Sequence, residues 1–227
     1  MKAFSIIKKI YLWFPCPEFT RFRNLKLFDW MNQNALGKRV LNLGSGIGHF
    51  DHYLSKSIRT INLDIDFLKP DVDVVADAHF LPFKSESIDI VYSIAVLEHV
   101  KFPWIVAGEV ARILCPGGYV VLECPFLNVI HDEEDYFRFT DKGIKSLFDE
   151  SKFDVIFEQV GSGGGSFLSV FLFTYFRQFV PTQFGKKVWD FFMRYLFSLC
   201  KHLDVLICDS QELRITANSF SFIGRKR

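Results

Sequence analysis

The stretch Val40-Leu41-Asn42-Leu43-Gly44-Ser45-Gly46-Ile47-Gly48 decides the fold. A short, mostly apolar run enters a set of glycines at alternate positions. Such a run bounded by glycine reads as a buried strand. Glycine permits a sharp turn and, having no Cβ, lets a ligand approach the bare backbone. Residues 49–57 read as the helix that follows. The N–H groups opening a helix have no partner within it and face whatever lies beyond. The stretch is therefore strand, tight turn and helix. By itself it supports no more than a turn.

The surroundings add to it. Residues 39–43, 60–63, 72–76, 88–93, 119–123, 153–160 and 220–223 read as seven strands. Residues 18–35, 49–57, 104–114 and 141–150 read as helices. Gly37 ends the first of these, Pro116-Gly117-Gly118 follows the third, and Thr140 is suited to cap the last. Strands alternating with helices predict a doubly wound α/β fold with a mostly parallel seven-stranded sheet covered on both faces. Right-handed crossovers bring the carboxyl ends of parallel strands to one edge, where such sheets bind ligands. Gly44, Asp64, Asp77 and Ser93 fall at that edge.

Asp64 ends the second strand, 20 residues after Gly44. A carboxylate there is placed to accept both hydroxyls of a ribose. Asp77 ends the third strand, where it can accept from an adenine amino group. Loop and acids together predict a bound adenosine. A dinucleotide loop needs a third glycine where this chain has His49, so a nicotinamide-dependent oxidoreductase is the runner-up.

Composition narrows the class. The chain has 227 residues, 49% hydrophobic and 23% charged, as a globular domain does. A net charge of +1 argues against a nucleic-acid partner held by bulk electrostatics. Cys16, Cys115, Cys124, Cys200 and Cys208 form no C-x-x-C pair, so neither a metal site nor a disulfide framework is expected, and a reducing cytoplasm is. Lys8 and Lys9 break the apolar N-terminus and no small-residue cleavage site follows, so no signal peptide is expected. Residues 1–37 are expected as an N-terminal helical extension to a domain over 38–227.

The order of motifs resembles that of class I S-adenosylmethionine-dependent methyltransferases, specifically the type 11 methyltransferase-domain group. The likeness runs from about Arg39 to Cys124. It covers Val40 to Gly48, Ile61-Asn62-Leu63-Asp64, Ala76-Asp77-Ala78 with Leu81-Pro82-Phe83, Ile88 to Val91 through Leu97-Glu98-His99-Val100, and Ala111-Arg112-Ile113-Leu114 with Pro116-Gly117-Gly118. The resemblance implies a Rossmann-like methyltransferase fold and S-adenosylmethionine as cofactor. Gly44, Ser45, Gly46 and Gly48 would then line its methionine and ribose part. Asp64 would hold the ribose hydroxyls, with Ile65 against the adenine. Asp77 and Ala78 would meet the adenine edge, and Ser93 and Ile94 the methionine. The family usually has an acid at the position of Asn42. An uncharged amide there lowers the expected affinity by about 1 kcal/mol.

The acceptor side is expected in residues 125–140, which resemble a P-F…H…D-Y-x-R-[FY]-T pattern of methyltransferases from bacterial surface-glycan clusters. His131 is the candidate general base, because imidazole titrates near neutral pH. Tyr136 and Arg138 are candidate acceptor-binding residues, Arg138 as a clamp for phosphate or carboxylate. Its competing role is an ion pair with a nearby acid. His99 reads as a structural hydrogen-bonder.

Residues 166–208 read as an apolar helical insertion between the sixth and last strands. Each of its apolar runs is shorter than the ~20 residues of a membrane span. They are expected to cover the sheet, to bind a greasy substrate, or to rest on a membrane surface. The sequence thus predicts a cytoplasmic methyltransferase, peripheral at the inner membrane face if that last role holds. Its acceptor would be a small molecule, a sugar or a lipid-linked glycan. The alternative is a non-catalytic module that keeps the fold for binding.

Overall fold

The structure, a computed structural model, describes residues 26–46, 53–69, 71–204 and 211–227, except the side chains of 194, 211 and 212. Helix α1 spans Lys26–Asn34. It ends before Gly37, whose φ of 72° is the left-handed conformation that glycine adopts without penalty. The part of the leading helix expected at 18–25 lies outside the described residues, as do Cys16, Cys208, Gly48 and the start of the helix expected at 49–57. The described remainder of that helix, 53–57, is not α-helical.

Seven strands follow: β1 (Val40–Leu43), β2 (Thr60–Asp64), β3 (Val74–Val75), β4 (Ile88–Ile94), β5 (Leu114–Pro125), β6 (Phe153–Ser162) and β7 (Ser219–Lys226). They form one sheet in the order β3-β2-β1-β4-β5-β7-β6. The β1–β2, β1–β4, β2–β3 and β4–β5 pairs are parallel, and β5–β7 is antiparallel. The expected doubly wound α/β architecture is thus present, as a mixed sheet.

The order places β1 between β2 and β4, so the chain leaves β1 at the reversal point of the sheet. β1 and β4 are buried almost throughout because neighbours cover both faces. Ile90, Tyr92 and Ile94 point to one face and pack with Leu27, Phe28 and Met31 of α1. Val91 and Ser93 point to the other and are also buried. Helix α2 (Pro103–Ile113) buries Val106, Ala107, Val110 and Ile113, a helical stripe.

Two elements differ from expectation. β5 starts at Leu114, not Tyr119, because the register shift between Ile88 and Ile90 lets the strand run through Pro116-Gly117-Gly118. Gly117, at φ 76°, absorbs the irregularity. Helix α3 (Asp141–Lys145), capped by Thr140 Oγ1 accepting from Gly143 N–H, is half the expected length.

The chain divides into two compact units. The described part of the sheet unit holds residues 26–46, 53–69, 71–126, 130–161 and 219–227; that of the other holds 127–129, 162–204 and 211–218. Within the second, helices α4 (Gly164–Arg177) and α5 (Gln183–Ser198) pack together, joined by Arg177 to Asp190 at 2.7 Å. Buried Asp204 accepts from the N–H groups of Gly165 and Ser166 at 2.7 and 2.9 Å, satisfying the start of α4. Among the described residues, no helix is long and apolar enough to cross a membrane.

Candidate functional site

Three strand ends build the site in the sheet unit. After β1 the chain turns through Gly44 (φ 71°) and Gly46 (φ 59°), both left-handed. The N–H groups of Gly44 and Ser45 donate to the Leu63 carbonyl at 2.8 and 3.0 Å. A Cβ on Gly44 would lie 2.4 Å from Val96 Cγ2, so the loop closes directly on the segment that leaves β4. That segment turns at Ala95, itself left-handed at φ 56°.

Asp64, 5% exposed, ties the loop to β2. Its Oδ2 accepts from Gly46 N–H at 2.8 Å; its Oδ1 accepts from Asp66 N–H at 3.0 Å and from Lys69 Nζ at 3.2 Å. Burial raises the carboxyl's proton affinity, but those backbone N–H groups and the Lys69 ammonium outweigh it and hold it below the ordinary carboxylate range.

Asp77 follows β3 and is half exposed. Its Oδ1 accepts from His79 N–H at 2.9 Å and meets His79 Nδ1 at 2.6 Å. His79 Nε2 accepts from Phe102 N–H at 3.3 Å, so Nδ1 carries the ring proton. Against the effect of burial, the His79 backbone and ring lower the Asp77 proton affinity. Sequence reasoning missed His79, whose role depends on Phe102 in a distant segment.

Around these acids the edge is apolar and open: Ile65, Phe67, Leu68 and Phe80 are all exposed. Ser45 Oγ and Ser93 Oγ are buried there and have no hydrogen-bond partner among the described residues. Buried hydroxyls normally find one. Ala78 is half-buried and Ile94 buried. Asn42 is buried and donates its amide to Asn62 Oδ1 at 3.1 Å across the β1–β2 pair. The arrangement offers acceptors, orphaned hydroxyls and apolar surface, and this fits a ligand with hydroxyls, a planar ring and a polar tail.

A second cluster adjoins the first. The turn Leu97–His99 follows Val96. Glu98 is fully buried, and neither carboxylate oxygen has a hydrogen-bond partner among the described residues. Burial pushes its carboxyl up to about 7, against the lowering pull of His99 and Arg138. The expected acceptor loop anchors on its backbone, as Tyr136 and Phe137 N–H donate to the Glu98 carbonyl at 2.8 and 3.2 Å. His99 Nε2 lies 3.1 Å from His131 Nε2 and 3.7 Å from Glu98 Oε1. Arg138 grips Asp135 with both terminal nitrogens, Nη2 at 2.8 Å from Oδ2. This is the ion pair weighed against a ligand-clamping role. Its hydrogen bonds hold the Asp135 carboxyl down at about 2. Tyr136 is exposed. His131 thus joins His99 and Glu98, a grouping that sequence separation concealed.

A hollow of about 400 Å³ lined by Trp104, Arg112, Phe148, Asp149, Lys152 and Lys226 lies at the opposite edge. Lys226 there donates to the carbonyl of Leu114, where β5 begins.

Comparison with known proteins bears on the fold. Residues 41–122 match the family model for a methyltransferase domain. An uncharacterised methyltransferase of Mycobacterium leprae is 33% identical over 108 residues, 41% of this chain and 40% of that protein. The chain thus spans about two fifths of the length of the curated relatives it matches. Among solved structures, the cyclase SpnF superposes with a TM-score of 0.58 at 14% identity, over 89% of this chain and 79% of that one. A phosphoethanolamine N-methyltransferase of Haemonchus contortus, solved with phosphomonomethylethanolamine and S-adenosylhomocysteine, gives 0.55 at 16%, over 90% of this chain and 52% of that one. These likenesses show the fold, which carries more than one chemistry.

Proposed function

We propose that this chain, whose residues 41–122 match a methyltransferase-domain model, is a class I methyltransferase that transfers a methyl group from S-adenosylmethionine to a small-molecule, sugar or lipid-linked glycan acceptor. The observation that carries the reading is Asp64. It is a nearly buried carboxylate at the carboxyl end of β2, bonded to the glycine turn after β1. It is suited to accept the ribose hydroxyls, while Asp77, Ala78 and Ile65 suit the adenine. Ser45, Ser93, Ile94 and Asn42 suit the methionine end, together with Gly44, Gly46 and Gly48, the last outside the described residues.

When bound, the cofactor supplies an electrophilic methyl on a sulfonium. The chain's part is to hold an acceptor in line with it, keep water away and take up a proton where the acceptor is a hydroxyl or amine. His131 is the candidate proton acceptor, and Tyr136 and Arg138 the candidate acceptor contacts. Exposed Ile130 and Phe80 favour an acceptor with apolar surface, and the near-neutral charge argues against nucleic acid. A membrane-borne acceptor would place the chain at the inner face of the membrane.

Calorimetry with S-adenosylmethionine and S-adenosylhomocysteine tests the reading. Asp64→Ala is expected to weaken both by about 3 kcal/mol, roughly a hundredfold in Kd. No binding by the wild-type chain would end this reading. Binding without transfer to any fraction of cell extract would favour a non-catalytic module.

A further inference from the structure

From the Glu98, His99 and His131 side chains, which converge beside the glycine turn, we infer a binding site for a divalent transition-metal cation of the zinc, iron(II) or manganese class. The argument begins with protons. His99 Nδ1 lies 2.6 Å from the Glu134 carbonyl, which can only accept, so Nδ1 carries the ring proton. His131 Nδ1 lies 3.3 Å from Asp135 Oδ2, a carboxylate paired with Arg138, and that neighbour favours the tautomer with the ring proton on Nδ1. Both Nε2 atoms then present lone pairs, and they face each other at 3.1 Å. Two lone pairs at that distance repel unless a positive centre stands between them.

The third group is Glu98. Its carboxylate is wholly buried, with Oε1 3.7 Å from His99 Nε2. A buried carboxylate with no hydrogen bond costs several kcal/mol unless something neutralises it. Two ligands at about 2.1 Å from a tetrahedral centre stand about 3.4 Å apart. The observed 3.1 and 3.7 Å bracket that value, and all three donor atoms fall within 4.8 Å of one another.

Each imidazole is also oriented from behind, one by a carbonyl and one by a carboxylate, as metal-binding histidines are. Two imidazoles and one carboxylate select a borderline cation over magnesium or calcium. Three protein ligands leave a coordination position open. Val96, two residues before Glu98, touches the Gly44 turn, so that position lies close to the proposed methyl donor. Its use, resting on the methyl-transfer reading, is to bind the acceptor oxygen and lower its proton affinity. The cation would then take over from His131 the task of activating the acceptor.

The test uses the full chain after treatment with chelator. Calorimetry with ZnCl₂ is expected to show about one equivalent bound, with MgCl₂ much weaker. CoCl₂ should give the visible absorption of a cobalt ion in a low-symmetry nitrogen and oxygen site. Glu98→Gln and His131→Ala should each weaken Zn²⁺ binding at least about 100-fold, and Asp135→Asn about 10-fold. His131 is exposed, so His131→Ala keeps the test valid if the Glu98 variant does not fold. S-adenosylhomocysteine binding, measured on the same samples, separates failure of the metal site from failure of the methyltransferase reading. No Zn²⁺ uptake at millimolar concentration, or equal uptake by wild type and His131→Ala, overturns the proposal. The first result would mean that the two rings share a proton instead.

Discussion

At the scale of single residues, Gly44 and Gly46 look alike in sequence but differ in what constrains them. Both hold positive φ, which costs other residues roughly 1–2 kcal/mol. Gly44 has a neighbour, Val96, inside the space of a Cβ, whereas no described residue lies within 4 Å of the Cβ position on Gly46. Gly44→Ala is therefore expected to cost about 3–4 kcal/mol, adding overpacking to backbone strain, and Gly46→Ala about 1–2. Urea unfolding of both variants checks this, and equal losses would refute the steric difference. Asp64 is legible in the sequence because a fixed spacing from the glycine loop defines it. Glu98 and His99 were visible as a motif, but their partner His131 is 32 residues away, with β5 between them. Spacing rules describe ligands on one turn or strand and miss sites assembled across the sheet.

At the scale of elements, the sequence located β1, β2 and β4 to within a residue or two, because each is a short, mostly apolar run bounded by turn residues. It shortened β5 because Pro116-Gly117-Gly118 has the chemistry of a turn, and only the pairing with β4 reveals a strand passing through it. The β1–β4 junction carries a testable charge pair. Arg39 donates its backbone N–H and Nε to Asp89 Oδ2, both at 2.9 Å, and Nη2 to Oδ1 at 2.8 Å. The Arg39 side-chain hydrogen bonds hold the Asp89 carboxyl down at about 2, against a smaller opposing effect of burial. A carboxyl with lowered proton affinity in the fold stabilises it above the ordinary value near 3.8 and stops doing so as pH falls towards 2. Asp89→Asn should thus be less stable than wild type at neutral pH, and the gap should close between about pH 4 and pH 2. The side chains of Arg39 and Asp89 are 55% and 23% exposed, so screening keeps the effect small and salt-sensitive. A gap that widens on acidification would contradict the assignment.

At the scale of the whole molecule, the sheet unit holds the proposed methyl-donor site, and the helical unit remains to be given a use. On α5, Phe184, Val188, Phe191, Phe192 and Leu196 recur at helical spacing, so they share one face. All five are exposed, as are Phe176 and Phe179 after α4 packs its own rings together. A soluble surface seldom leaves so many apolar side chains on one helix face uncovered. Lys187 beside them is exposed too, the combination of an interfacial helix that lies in a lipid surface. We therefore expect the full chain to float with vesicles of phosphatidylglycerol and phosphatidylethanolamine. Burying a phenylalanine side chain is worth about 2 kcal/mol, so Phe184→Ser with Phe192→Ser should weaken vesicle binding about 100-fold or more. S-adenosylhomocysteine binding should be unchanged in that variant, since neither residue belongs to the sheet unit. Flotation that survives both substitutions would remove this face from the membrane. A chain that does not float but forms a dimer, dispersed by the same substitutions, would show that the face is covered by a second copy instead.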